Sequence, residues 1–394
     1  MRTAMGMFAA LVLASACVLA ADTAVDGRTA GRAVESSYRW TLRYTVPGYG
    51  RDDPLWLVPA ADGGASLFAR NGPGPGWSML RWDGTSWRRA GLPARFGRTW
   101  GLEIGGSPSG ETIWAAVSVP GEEDETTEEL WRFSAGRWTR RSAWDSGTNA
   151  VDDIAVGSRG DAWFLTGYDP DGAPSTVLRW SGNAWRRESP PGQELTEIES
   201  AGPDDAWVLS RMEGERTLHW NGSSWRDVPY PCEPASPRLP CRGRAHLNDL
   251  DLAVRPDGQA WAVGPRWPDG GASVVLHWDG TRWEQAATGP ARTSLTAARV
   301  DPVGGLWIVA APASGSPYVL NLRDGRWTRS TLRQGGPGAY IAGVEPVPGT
   351  KRVWVQTRRR DDPVGPPDGA VTATVNYLSS TPAAGRQQPR LLRA

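Results

Sequence analysis

The sequence is poor in the residues that many catalytic and metal sites use. Its 394 residues include three Cys and three His, and its 43 basic and 43 acidic side chains give a formal net charge of zero. A balanced charge argues against a nucleic-acid-binding protein, which usually has a basic excess. No apolar run beyond the first 20 residues could span a bilayer, which excludes a multi-pass membrane protein. Three His support no Ser-His-Asp or Cys-His arrangement, so the sequence predicts no catalytic, metal-binding or cofactor-binding residue.

Gly, Pro and Trp are abundant instead, with 48, 33 and 23 copies. Many turn-forming residues combined with many large aromatic side chains indicate an all-β protein built on a regular motif. The clearest motif is Leu80–Trp87, which reads Leu-Arg-Trp-Asp-Gly-Thr-Ser-Trp. Its Asp-Gly pair predicts the positive-φ turn of a tight hairpin, and its two Trp face each other across adjacent strands. Similar copies, two of them weaker, end at Trp138, Trp185, Trp225, Trp283 and Trp327.

Each hairpin is preceded by two further strands. The nearer one contains a Trp, such as Trp163 or Trp207, and the other is a short apolar strand. A four-stranded unit that repeats every 40 to 58 residues is typical of a β-propeller blade. The first unit lacks the second-strand Trp, and we expect Phe68 to take its place. The last unit lacks a fourth strand, and Tyr38–Pro47 has the form of the missing one. The sequence therefore predicts an all-β, seven-bladed β-propeller of four-stranded antiparallel blades, in which an N-terminal strand completes the last blade.

The repeats leave both ends of the chain outside the propeller, which we place at residues 38–379. Residues 1–21 have the pattern of a signal peptide, 22–37 that of a linker, and 380–394 that of a disordered tail. Cleavage after Ala20 or Ala21 predicts a secreted protein. The alternative is a bacterial lipobox ending at Cys17, which would anchor the protein by a lipid to the outer face of the cell membrane.

The two remaining cysteines, Cys232 and Cys241, bracket a short Pro-rich loop. A disulfide in an oxidising compartment is favoured over a zinc site, because zinc would need two more ligands and only His246 is near.

The second-strand Asp-Ala-Trp and the hairpin Leu-His-Trp-Asp-Gly-x-x-Trp resemble the exported β-propeller repeat proteins of actinobacteria. Those proteins are described loosely as galactose-oxidase-like or kelch-like, and the repeats are also similar to tectonin-type propellers, which bind glycans. The resemblance covers residues 38–379. It implies the fold and is nearly silent about activity.

Several polar residues are candidates for a site but have a structural interpretation. His219 and His277 precede the third-strand Trp, a place that Arg or Asn fills in other repeats, so both are expected to be structural hydrogen-bond donors. An acidic run could bind Ca²⁺, although a solvated loop is favoured because the spacing of an EF-hand is missing. Its members are Glu122, Glu123, Asp124, Glu125, Glu128 and Glu129.

Variable loops predict where a ligand would bind. The connections between the second and third strands, and between successive blades, are long and irregular, and they lie at the same end of the ring. A binding site there would use aromatic residues that do not recur in every blade. These candidates are Trp77, Trp100, Trp144, Tyr168, Tyr230 and Trp267.

The sequence favours a non-catalytic, monomeric binding protein of the cell exterior or cell envelope, with a glycan, peptide or protein ligand. The alternative is a polysaccharide hydrolase or lyase with paired carboxylates near the central channel. Five acidic residues in or beside the predicted inner strands keep that alternative open: Asp152, Asp153, Glu197, Asp249 and Asp251.

Overall fold

The computed structural model describes most of the repeat region. The described residues are 34–35, 38–46, 54–70, 76–99, 101–120, 126–145, 150–167, 174–192, 194–210, 216–230, 246–247, 250–267, 273–290, 292–332, 339–359 and 372–380. No helix among them is both long and apolar enough to cross a bilayer.

The described residues form 31 β-strands and one 3-10 helix at Ala94–Arg98. The first eighteen strands are β1 Val34–Glu35, β2 Tyr38–Val46, β3 Trp56–Pro59, β4 Ala65–Arg70, β5 Trp77–Trp82, β6 Trp87–Ala90, β7 Gly101–Gly106, β8 Ile113–Pro120, β9 Thr126–Ser134, β10 Arg137–Asp145, β11 Val151–Val156, β12 Ala162–Thr166, β13 Val177–Trp180, β14 Trp185–Glu188, β15 Leu195–Gly202, β16 Asp205–Ser210, β17 Arg216–Trp220 and β18 Trp225–Val228. The others are β19 His246–Leu247, β20 Asp251–Val254, β21 Ala260–Gly264, β22 Arg266–Trp267, β23 Val274–Trp278, β24 Trp283–Thr288, β25 Thr293–Val300, β26 Leu306–Pro312, β27 Tyr318–Arg323, β28 Arg326–Thr331, β29 Ala339–Pro346, β30 Val353–Arg359 and β31 Thr372–Ser380.

The strands form a ring of antiparallel sheets, which we name A to G in chain order. Sheet A is β3–β6, B is β7–β10, C is β11–β14 and D is β15–β18; sheet E is β20, β21, β23 and β24, F is β25–β28 with β1, and G is β29–β31 with β2. The first strand of each sheet packs against the first strand of the next, and β29 of sheet G returns to β3 of sheet A. These inner strands therefore surround a central channel.

The prediction of seven four-stranded antiparallel blades is wrong: the described residues form six such blades, not seven. Sheet F departs from the pattern because β1 joins its outer edge in parallel orientation, with Val34 opposite Thr328 and Glu35 opposite Arg329, which makes it five-stranded. An outer strand presents unpaired backbone N–H and C=O groups, so a short segment of extended chain can add to it. The segment in question lies within residues 22–37, where the sequence predicts a linker.

The completion of sheet G by an N-terminal strand is confirmed. Strand β2 pairs antiparallel with β31 from Tyr38 opposite Ser380 to Val46 opposite Ala373. The last sheet thus contains both early and late parts of the chain. This pairing ties the two ends of the ring together without leaving β31 as a free edge.

Trp side chains fill the seams between neighbouring sheets. The second-strand Trp163 is fully buried, and its ring centroid lies 6.0 Å from that of Trp220 and 5.9 Å from that of Trp225 in the next sheet. The latter two rings are 5.7 Å apart across the β17–β18 hairpin, so the predicted cross-strand pair is confirmed. Gly222 in that hairpin has φ +89°, a left-handed conformation that favours glycine.

Phe68 does take the place of the missing Trp in sheet A. It is fully buried, and its ring lies 6.2 Å from that of Trp138 in sheet B. The register differs from the prediction, because Ser66 occupies the backbone position of the second-strand Trp, opposite Arg81. Phe96 of the 3-10 helix lies 5.2 Å from Trp138 and fills the space that a smaller ring leaves.

Candidate functional site

The two ends of the ring differ in their connections. The turns between first and second strands, and between third and fourth strands, are short and are closed by local backbone hydrogen bonds, as from Gly160 N–H to Gly157 O at 3.0 Å. The opposite end holds the long connections, including the one from Val228 to Asp251.

That opposite end also has a small sheet of its own. Strand β19, in the connection between sheets D and E, pairs antiparallel with β22, in the connection between the second and third strands of sheet E. His246 lies opposite Trp267, and Leu247 opposite Arg266. The two classes of long connection therefore meet at one end, as predicted, and at sheet E a two-residue strand of one pairs with a two-residue strand of the other.

The structure locates part of the predicted aromatic set. Trp77 is 5 % exposed and packs on Trp56 at 5.1 Å, with the Arg70 guanidinium 5.4 Å from its ring. Tyr230 is half-buried, 5.8 Å from the ring of Trp283. These two side chains belong to different seams and are not brought together. Trp144 and Trp267 lie in β10 and β22, where the backbone alone is described, and the other calls lie outside the described residues: Trp100, Tyr168, Cys17, Cys232 and Cys241.

The central channel contains a cavity of about 480 Å³. Its lining comes from the inner strands and includes five acidic side chains and a central arginine, Arg299. The sequence identified two of the acidic residues, Asp153 and Asp251, and missed the others. The full acidic set in the lining is Glu103, Asp153, Glu199, Asp251 and Glu345.

Three inner-strand carboxylates bind the backbone of the next sheet. Asp153 accepts a hydrogen bond from Ile198 N–H at 2.8 Å. Glu197 does the same with Leu252 N–H at 3.0 Å, and Asp251 with Ala297 N–H at 2.9 Å. Bulges precede Asp153 in β11 and Glu197 in β15, and a bulge changes the direction of the side chain that follows it. These carboxylates therefore connect sheets C, D, E and F around the channel.

Arg299 forms a second polar connection through the cavity. Its guanidinium lies 3.7 Å from a carboxylate oxygen of Glu199 in sheet D and 3.8 Å from one of Glu345 in sheet G. Burial by itself would lower the pKa of Arg299, but the attraction of Glu345 and Glu199 outweighs it and the pKa is raised. The side chain of Arg299 is 36 % exposed and that of Glu199 is 25 % exposed, so water in the channel weakens the attraction between them.

Burial raises the pKa values of the channel acids. Burial, followed by repulsion from Asp153, raises the pKa of Glu103 to about 8, against the hydrogen bond that Trp56 Nε1–H donates to it at 2.9 Å. Burial raises the pKa of Glu199 to about 7, and the positive charge of Arg299 limits the rise. Burial likewise raises the pKa of Asp153 and Glu345. At neutral pH the channel therefore holds a mixture of protonated and ionised carboxyl groups.

The histidines have structural partners. His219 Nε2 is 2.9 Å from Asp205 Oδ1, and the imidazole stacks on Trp207 with 4.0 Å between centroids. His277 lies 5.0 Å from the ring of Trp261, and burial lowers its pKa. His219 therefore has a hydrogen-bond partner, as predicted, and that partner belongs to its own sheet. For His277 the structure shows the contact with Trp261, and its role as a hydrogen-bond donor stays a prediction.

The acidic run does not form one solvated loop, so that expectation is wrong for its last two members. Glu128 and Glu129 lie inside β9 and are each 1 % exposed. Glu129 accepts hydrogen bonds from Trp131 Nε1–H at 3.0 Å and from Arg140 at 3.2 Å, and Glu128 accepts one from Ser118 at 2.7 Å. Residues 122–125 lie outside the described part. Within that part, no group of His, Cys, Asp and Glu is arranged to hold a metal ion.

Comparison with solved structures agrees with this architecture. The chain is similar to YCF48 bound to D1 peptide, with a TM-score of 0.52, 12 % identity, and coverage of 91 % of this chain and 99 % of that one. The fold is a β-propeller. A prolyl endopeptidase studied for inter-domain dynamics gives a TM-score of 0.51 at 15 % identity, covering 81 % of this chain and 45 % of that one, so this propeller spans less than half of that protein.

A third similar structure is the SapL1 lectin in complex with alpha methyl fucoside, with a TM-score of 0.42, 15 % identity, and coverage of 72 % of this chain and 97 % of that one. No protein-family model and no curated protein matches the sequence. The likenesses therefore show the fold alone, and the resemblance to exported actinobacterial or kelch-like proteins stays a prediction.

Proposed function

We propose that this propeller is a non-catalytic binding protein that contacts a glycan, peptide or protein through the end of the ring with the long connections. The β19–β22 sheet is the observation that supports this site most directly, because it pairs a strand from each of two long connections. Loops fixed on a rigid frame are a common arrangement for recognition. The export of the protein, free or lipid-anchored, belongs to the same proposal.

The channel network supports a binding role rather than catalysis at the centre. Asp153, Glu197 and Asp251 each accept a backbone N–H from the neighbouring sheet, so their carboxylates hold the ring together. A carboxylate used in this way is restrained in position and has less capacity to act on a substrate. In this proposal the ring is a rigid frame, and the variable connections are the part that contacts the ligand.

Loop replacement tests this proposal. Residues 231–245 and 268–272 would be replaced with short Gly-Ser segments that leave β19 and β22 in place. The matched control changes Ser181–Ala184, at the other end of the ring, to Asp-Gly-Thr-Ser, the sequence of the equivalent hairpin at 83–86. Both proteins and the parent would be applied to glycan and peptide arrays and to isolated bacterial cell walls. We expect the loop variant to lose at least tenfold in retention and the control to match the parent; equal retention of all three would contradict the proposal.

A polysaccharide hydrolase or lyase is the second candidate, and one observation favours it. Glu103 has a pKa raised to about 8 and lines the same cavity as Asp153, so a carboxyl group that is protonated at neutral pH lies near a second carboxyl group. Release of reducing ends from cell-wall polymers, abolished in Glu103→Gln, would support the enzyme. Retention without release would support the binding protein.

A further inference from the structure

The outer edges of the sheets differ sharply in charge around the ring. In sheets A to F the fourth strand begins at a Trp or one residue before it, and the two or three residues after that Trp lie on the rim. In sheets A, B and C they include the pairs Arg88–Arg89, Arg140–Arg141 and Arg186–Arg187, all exposed. In sheets D and E the same places hold Arg226–Asp227 and Glu284–Gln285. Arg88–Arg89 and Arg186–Arg187 occupy the same backbone positions as the pairs of sheets D and E, and Arg140–Arg141 follow one residue later, at a bulge in β10. Positive charge is therefore concentrated at the outer edges of sheets A to C.

Further exposed arginines lie on the same side. The 3-10 helix between sheets A and B contributes Arg95 and Arg98, and β10 begins with Arg137. We name the whole set the arginine arc, and it consists of Arg88, Arg89, Arg95, Arg98, Arg137, Arg140, Arg141, Arg186 and Arg187.

The carboxylates around the arc neutralise only part of it. Asp83 pairs with Arg88 at 2.9 Å, and the single carboxylate of Glu129 is shared by Arg95 at 3.3 Å and Arg140 at 3.2 Å. Five arc members have no ion pair with any residue that the structure describes: Arg98, Arg137, Arg141, Arg186 and Arg187.

The seam between sheets B and C shows this excess of positive charge most clearly. Arg141 lies over the ring of Trp180 at 6.0 Å. Burial, and then the positive charge of Arg141, lower the pKa of the neighbouring Arg132. An anion bound here would relieve that repulsion.

We propose that the arginine arc is a docking surface for an anionic polysaccharide, a surface separate from the loop-bearing end. Guanidinium groups bind carboxylate and phosphate oxygens in a planar, bidentate manner, which gives charge complementarity to an acidic polymer. The charge is spread along three successive edges and is not concentrated in one pocket, so it fits a ligand with charges at intervals. The half-buried rings of Trp87, Trp138 and Trp185 lie in the same strands as the arginine pairs.

A membrane surface fits the arc less well. The large hydrophobic side chains exposed in the described part are Val303 and Tyr340, which belong to sheets F and G. The arc therefore offers charge without the apolar anchors that interfacial binding uses.

The test removes three arginines that have no ion pair with a described residue, and the one internal contact affected is that of Arg141 with the ring of Trp180. The arc variant is Arg141→Ser/Arg186→Ser/Arg187→Ser. Its matched control is Arg226→Ser/Arg292→Ser/Arg326→Ser, which changes the net charge equally at exposed positions outside the arc that also have no ion pair with a described residue. Binding to polygalacturonate would be measured by biolayer interferometry at low and at moderate salt, with dextran as the neutral polymer. Thermal unfolding would check that both variants fold as the parent does.

We expect the parent to bind polygalacturonate and not dextran. The arc variant should bind polygalacturonate about tenfold more weakly and with a smaller dependence on salt. The control should bind it within twofold of the parent. An equal loss in both variants would show that net charge alone acts and would overturn the proposal. The proposal would also be overturned if the parent bound duplex DNA or phosphatidylglycerol vesicles as strongly as polygalacturonate, or if it did not bind polygalacturonate. The loop variant of the previous section should retain this binding, which separates the two proposals.

Discussion

The seams between the sheets and the central channel hold the same ring together by opposite means. In the seams, indole rings pack edge to face, as where Trp207 lies 5.1 Å from Trp278 and 5.3 Å from Trp283. In the channel, carboxylates bind backbone N–H groups, and Arg299 joins Glu199 to Glu345. Apolar packing involves no group that titrates, whereas the channel network depends on which acids are ionised. The seams therefore contribute a part of the ring's stability that does not change with pH, and the channel contributes a part that does.

Loss of a seam Trp should have the largest effect. Trp163 is fully buried, and Trp163→Ala would leave a cavity bordered by Trp220 and Trp225. We expect the free energy of unfolding to fall by about 4 kcal/mol, measured by urea denaturation at pH 6 and pH 8. The loss should be the same at both pH values, because no group that titrates in this range is removed or loses a ring contact. Trp163→Phe, which fills part of the space, should cost less, and a loss confined to one pH would contradict the distinction between seam and channel.

The sequence could predict the seams because their signal repeats. The Asp-Gly and Asn-Gly turns and the paired Trp fix the hairpin register, and that register places Trp220 opposite Trp225 in the structure. Phe68 was predicted by the same alignment, although its place is two residues further along the strand than the Trp of other sheets. The predicted number of four-stranded blades was wrong. Strand β1 is too short to be recognised as a strand in the sequence, and its pairing with β28 depends on the path of the chain before the first repeat.

The channel network could not be predicted as a network, because its members come from different repeats. Glu199, Arg299 and Glu345 all lie opposite the second-strand Trp of their own sheets. Aligning the inner strands on that Trp would have found them in one row of the channel. The bulges before Asp153 and Glu197 shift the spacing by one residue and hide the second row. The loops and most of the predicted binding aromatics vary between repeats, so no internal comparison could assign them.

Loss of the channel cation should have the next largest effect and should depend on pH. In Arg299→Gln, Glu199 and Glu345 lose the positive charge between them, and their pKa values rise further. At pH 8 the folded protein must then either hold protons on these acids or keep two mutually repelling carboxylates in the partly solvated cavity, and we expect a loss of about 3 kcal/mol. At pH 5 protonation removes most of that repulsion, so the loss should be smaller. Arg299→Lys retains the charge and should retain most of the stability at both values; an equal loss at pH 5 and pH 8 in Arg299→Gln would show that Arg299 acts by packing alone.

The smallest expected effect is a gain, in Glu103→Gln. The folded-state pKa of Glu103, about 8, lies above its ordinary value of 4.5, so the folded protein binds more protons than the unfolded chain between those values. The free energy of unfolding therefore falls as pH rises through this window and levels off above it. A Gln side chain can still accept the hydrogen bond from Trp56 Nε1–H and has no charge to bury. We expect Glu103→Gln to match the parent at pH 5 and to exceed it by about 2 kcal/mol at pH 9, measured by urea denaturation across the range. If the parent and Glu103→Gln differ by the same amount at every pH, Glu103 does not titrate in this window, and the pH-dependent part of the ring's stability has to come from the acids around Arg299.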